Sequence, residues 1–175
     1  FFDKEKLDDT IFDFKKIKID NNKFKNFKNK KYISFHCRFS DEGISRNLND
    51  TEFVKIVNFL NKKFINYPIL IVSDKIGCEH YKIIANKSKL NLLYSKDYSI
   101  SFLEDGYLTL NSNYYFQYKG GGIHTFVEFS KINFYIQKYP SNEIWHSNSK
   151  SLFFHSKDQI SSKDKTLNNI FKQLI

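Results

Sequence analysis

The residues of this chain best suited to chemistry fall in three short runs, each beside an apolar stretch. The first is His36-Cys37-Arg38, followed by Asp41. Arg38 and Arg46 are the only arginines; the rest of the basic charge is lysine. A planar guanidinium can grip phosphate oxygens through two parallel hydrogen bonds, which an ammonium cannot do. In a strand, His36 and Arg38 project to the same side. The plainer readings are a structural histidine and a salt bridge from Arg38 to Asp41 or Glu42.

The second run is Ser73-Asp74, directly after Ile69-Leu70-Ile71-Val72. A hydroxyl and a carboxylate there could hydrogen-bond a base edge or a ribose hydroxyl. They could equally cap the next helix, and the two roles are compatible. The third run is Gly120-Gly121-Gly122-Ile123-His124-Thr125, which holds three of the six glycines. Glycine lets backbone approach a ligand, and a helix start offers N–H groups to an anion. A strand, this turn and a helix would make a diphosphate cradle, although the pattern is neither GxGxxG nor a Walker loop. Most glycine triplets are simply turns.

The elements that must position these runs can be read from periodicity. Tyr32 to Arg38 is aromatic and β-branched, as a strand requires. Asn49 or Asp50 can cap a helix from Thr51, in which Phe53, Ile56, Val57, Leu60 and Phe64 fall at helical spacing. Pro68 ends that unit, and Ile69 to Val72 reads as a strand covered on both faces. A helix over about 77–85, a short strand over 90–94, a strand over 114–118, a helix from Ile123 to Ser130 and a strand over 134–136 follow. Residues 95–112 give no clear period. Strands alternating with helices predict an α/β, Rossmann-like three-layer domain with a mostly parallel sheet. Such sheets bind ligands at the carboxyl ends of their strands, where all three runs would lie. The expected organisation is a lead-in or linker over 1–30, mostly polar and exposed over 21–31, the domain over 31–140, and a helical tail over 141–175.

Composition narrows the class. The chain has 175 residues, 41% of them apolar and 18% aromatic, which is enough for a core and excludes global disorder. No apolar run reaches the length of a membrane span, and charges near the start break any signal-peptide core. There is no methionine, so a processed or partial chain is expected. The formal net charge is +9. With so little arginine this argues against specific nucleic-acid recognition. Abundant Lys, Asn, Ile and Phe instead fit an AT-rich bacterial coding sequence with solvated lysines. Cys37 and Cys78 are too few for a disulfide scaffold and read as reduced core thiols of a cytoplasmic protein. The five histidines have no metal-ligand spacing, so no metal site is expected.

The three runs, in this order, resemble motifs of the nucleotide-sugar-binding half of GT-B glycosyltransferases, most closely the fucosyltransferase-like enzymes. There a strand ends in His-x-Arg, here Phe35-His36-Cys37-Arg38-Phe39-Ser40-Asp41. A later strand ends in Ser/Thr-Asp, here Ile71-Val72-Ser73-Asp74, and a third ends in a small-residue turn opening a helix, here Tyr118 to Phe126. The resemblance covers about residues 31–138. It implies half of a GT-B fold, and metal-independent, inverting transfer of a sugar from a nucleoside diphosphate donor, GDP-linked in preference, to an acceptor hydroxyl. Arg38 would neutralise the diphosphate and His36 would support it. Ser73 and Asp74 would recognise the nucleoside. Gly121, Gly122, His124 and Thr125 would hold the β-phosphate, and Asp41 is a candidate for the base. Fucosyltransferases often carry a second arginine where this chain has Phe39, so the phosphate grip would be weaker or shared with a lysine such as Lys75 or Lys119. An acceptor-binding half would lie outside this chain, and a basic surface would suit the inner face of a membrane.

Two readings compete. A basic α/β module could bind nucleotides or a polyanion without chemistry. A structural subunit could cover a partner with Phe1, Phe2 and the Phe153-Phe154 pair.

Overall fold

The structure is a computed structural model that describes residues 19–20, 22–40, 44, 47–118, 122–128 and 133–137, with Thr125, Glu128 and 133–137 as backbone. The expected tail over 141–175, most of the lead-in, Asp41, Lys119 and Gly121 lie outside the described residues.

Among the described residues five strands form one sheet: β1 (Ile33–Cys37), β2 (Ile69–Val72), β3 (Leu93–Tyr94), β4 (Tyr114–Tyr118) and β5 (Asn133–Gln137). Their order is β3-β2-β1-β4-β5. Every pairing is parallel. The sequence expectation of a mostly parallel sheet thus becomes an all-parallel one. The described helices are α1 (Asp50–Lys63), α2 (Lys75–Lys87), α3 (Phe102–Leu110) and α4 (His124–Glu128), with a 3-10 turn over Ser95–Asp97. β1 is central. The chain proceeds from it to β2 and β3 on one side, then crosses back to β4 and β5 on the other. The order reverses beside β1, which is where open α/β sheets place their crevice.

The period-2 alternation of the strands divides the core. Ile33, Phe35, Cys37, Ile69, Ile71 and Phe116 face one side and pack on Phe53, Val57 and Leu60 of α1 and Tyr81 and Ile84 of α2. Tyr32, Leu70, Val72 and Tyr115 face the other, under Leu108 of α3 and Phe126 and Val127 of α4. These are the two outer layers of a Rossmann-like domain. Both cysteines are buried free thiols. No described helix is long and apolar enough to cross a membrane.

The expected lead-in contributes to the second layer. Most positions between Asn22 and Lys30 are exposed, but Phe24 and Phe27 are buried in the core under α3. Phe27 meets the edges of Tyr32 and Tyr98, with centroids 5.2 Å and 4.8 Å away. Lys23 ties the segment to Glu104 of α3 at 2.9 Å.

Candidate functional site

Because all strands are parallel, their carboxyl ends share one edge. A cleft of about 290 Å³ opens there. His36 and Arg38 enter it from the end of β1, Ser73 and Asp74 from the end of β2, and Ser101 and Phe102 from the start of α3. Two of the three runs singled out in the sequence therefore meet. A second cavity of about 470 Å³ lies between α2 and the 3-10 turn, lined by Lys75, Glu79, Lys82, Tyr94 and Asp97 among others. Lys96 and Ile100 line both, so the two spaces adjoin.

The position of Arg38 is fixed through its backbone. Its carbonyl accepts from the Tyr81 hydroxyl at 2.8 Å, and the same hydroxyl reaches the Leu48 carbonyl at 3.2 Å. Tyr81 stacks on Phe53 at 4.5 Å, so the turn after β1 is anchored in the first core layer. Phe39 stacks on His80 of α2 at 3.7 Å. His80 in turn meets Asp50 at 3.2 Å.

His36 is 9% exposed, on the α3 side of the sheet. Burial, then charge interactions with His124 and with the Arg38 cation, push its imidazolium form down to a pKa of about 3. At neutral pH the ring is uncharged, so it cannot supply the positive charge that support of a departing phosphate would suggest. What it can supply is a neutral hydrogen bond.

Ser73 is buried, while Asp74 is exposed and is the N-cap of α2. Its carboxylate accepts from the Gly77 N–H at 2.7 Å. The capping reading of Asp74 is thus realised, and the carboxylate still lines the cleft. Gly77 is required by close approach: a Cβ there would sit 2.1 Å from Ser73 Oγ.

Of the glycine run, Gly122 to Thr125 are described, and α4 is described over His124–Glu128. Gly122 is exposed and His124 half-buried, and neither is among the described residues lining the cleft; Ile123 is. Thr125 lies within α4, and its side chain is outside the described set.

Sequence reasoning missed α3 and the groups around it. Lys96 meets Asp105 at 2.5 Å, and Asp105 also accepts from the Ser99 hydroxyl. Lys96 and Asp105 both line the cleft, and Lys96 also lines the adjoining cavity. One sequence signal for α3 existed: Ser101-x-x-Glu104 is a capping box. Ser101 Oγ accepts from the Glu104 N–H at 3.2 Å, and Glu104 accepts from the Ile100 N–H at 2.6 Å.

No protein-family model matches the chain, and no curated protein matches it.

Proposed function

We propose that this chain is the donor-binding half of a glycosyltransferase, taking a nucleoside diphosphate sugar in the cleft at the carboxyl ends of β1 and β2. The observation that supports this most is the convergence of His36, Arg38, Ser73 and Asp74, from separate strands, on that one cleft. Arg38 would pair with the diphosphate, where negative charge grows as the glycosidic bond breaks. Stabilising that charge is usually the largest single contribution to such a reaction. The starts of α2 and α3 border the same space, so their first-turn N–H groups would add to it. His36 would donate a neutral hydrogen bond to a phosphate oxygen. Ser73 and Asp74 would meet the nucleoside, and the adjoining cavity would give its base room.

On this reading the transfer is metal-independent and inverting, with a base, for which Asp41 is the sequence candidate, deprotonating the acceptor hydroxyl. The acceptor would be held by a further domain or partner, and the reaction would run on the cytoplasmic side, at the inner face of a membrane where the acceptor is a surface glycan. GDP is the favoured donor nucleotide.

A second reading has one observation in its favour. Lys75, Lys82 and Lys96 line the larger cavity, as a module that only binds polyanions would have them. Lys82 and Lys96 are paired with Asp97 and Asp105, which lowers their availability.

Melting temperatures with GDP, UDP, ADP and CMP, on the parent and on Arg38→Ala, separate the two. A ligand at about 100 times its Kd adds about 2.7 kcal/mol, a rise of several degrees for a chain of this size. Stabilisation by one nucleoside diphosphate, lost in Arg38→Ala, is the expected result. Equal shifts with all anions that survive the substitution would favour the polyanion module.

A further inference from the structure

On the α3 side the sheet carries a buried polar strip beside its apolar residues. β1 presents Ser34 and His36 to that side, and β4 presents Gln117, which is 1% exposed. His36 and Gln117 are direct partners across the parallel pair. Adjacent strands lie about 4.8 Å apart, so the two side chains stand next to each other on one face.

Each carries a buried polar atom without a hydrogen-bond partner: Nδ1 of His36 and Nε2 of Gln117. Leaving such atoms unpaired costs about 1–3 kcal/mol each, so an arrangement that pairs them is favoured. Their chemistry is complementary. An amide Nε2 can only donate, whereas Nδ1 of a neutral imidazole can accept. The other end of the amide is engaged, because Gln117 Oε1 accepts from the Tyr115 hydroxyl. The hydroxyls of Ser34 and of Thr109, on α3, are also buried and unpartnered. A water in a polar interior needs two to four such partners.

We infer that Gln117 is the positioning residue that sets the tautomer of His36: its Nε2–H serves His36 Nδ1, directly or through one buried water, so that His36 carries its proton on Nε2 as a donor for the ligand of the cleft. A relay then runs Tyr115 hydroxyl, Gln117 amide, His36 imidazole, cleft, with each donor pointing the same way. Such a chain favours an oxygen acceptor at its open end, a phosphate or carbonyl oxygen, without bringing a second cation beside Arg38. The inference stands whichever ligand the cleft takes.

The tautomer is directly readable from two-dimensional ¹H–¹⁵N spectra of the imidazole nitrogens in the uniformly labelled chain near neutral pH. The parent is expected to show an acceptor-type Nδ1 and a protonated Nε2 at His36. A protonated Nδ1 in the parent would overturn the inference, since it means that the amide lies the other way round and presents Oε1 to the ring. In Gln117→Leu the preference for Nε2–H is expected to be lost. In Gln117→Glu it is expected to reverse, because a carboxylate accepts from Nδ1–H. An unchanged tautomer in whichever of these variants folds would overturn the role of Gln117.

Discussion

Arg38 is held by its backbone and His36 by its burial, and these two facts set what each can do. Loss of a hydrogen bond to a charged group costs about 1.5–3 kcal/mol. Arg38→Ala is therefore expected to weaken nucleoside diphosphate binding roughly ten- to a hundredfold, and Arg38→Lys to recover little of it, because an ammonium lacks the paired donors. Titration calorimetry on the three proteins checks this. His36 makes stability depend on acid. In the unfolded chain a histidine takes up its proton near pH 6.5; in the fold it does so only near pH 3. Between those values the unfolded state binds the extra proton, so stability falls as the pH falls. His36→Gln removes that contribution, and denaturant unfolding at several pH values should show a shallower loss below pH 6 than in the parent.

At the level of elements, the start of α2 carries both structure and site. A Cβ at position 77 would meet Ser73 Oγ at 2.1 Å and Asp74 Oδ1 at 3.1 Å. Gly77→Ala should cost about 1–3 kcal/mol, the usual range for forcing an added group into a packed place. Adding Ser73→Ala should return part of that loss, which a double-mutant cycle on melting temperature would measure. Asp74→Ala should cost about 1 kcal/mol through the lost cap. Any additional loss of nucleotide binding then reports the carboxylate's role in the cleft.

The elements also show what the sequence made legible. β1, α1, β2 and β4 announce themselves because their apolar residues follow the period of the element: Phe53, Val57 and Leu60 form one helical stripe, and Ile69 to Val72 are all buried. α3 does not, because the residues it buries are Asp105, Gly106, Leu108 and Thr109, while Phe102 and Leu103 are exposed. Leu108 apart, the residues it buries are small or polar. A hydropathy pattern cannot reveal such a helix, whereas its capping box could. The same cause hid Lys96 and Asp105, and hid Gln117 inside an otherwise aromatic strand. Phe24 and Phe27 were obscured by the lysines and asparagines around them, which stay in solvent.

Across the whole molecule, the order of elements was readable from the alternation of strands and helices, and the meeting of His36, Arg38, Ser73 and Asp74 follows from a parallel sheet whose ends share an edge. Of the third run, Ile123 is buried in the second core layer beside Phe126 and also lines the cleft. The net charge of +9 belongs to this scale too. A polyanion surface with six to ten phosphate contacts loses roughly 10³–10⁵ in affinity between 50 and 200 mM salt. Binding of a single diphosphate through Arg38 and two helix starts should lose less than about tenfold over the same range, because fewer counterions are released.

We propose that a nucleoside diphosphate sits at the carboxyl ends of β1 and β2. Backbone amide shifts of the labelled chain during titration with GDP test it most directly. Changes concentrated at Arg38, Ser73 to Ile76 and Ser101 to Leu103, absent in Arg38→Ala, are the predicted result. Changes spread over the exposed lysines, or confined to the outer faces of α1 and α2, would contradict it.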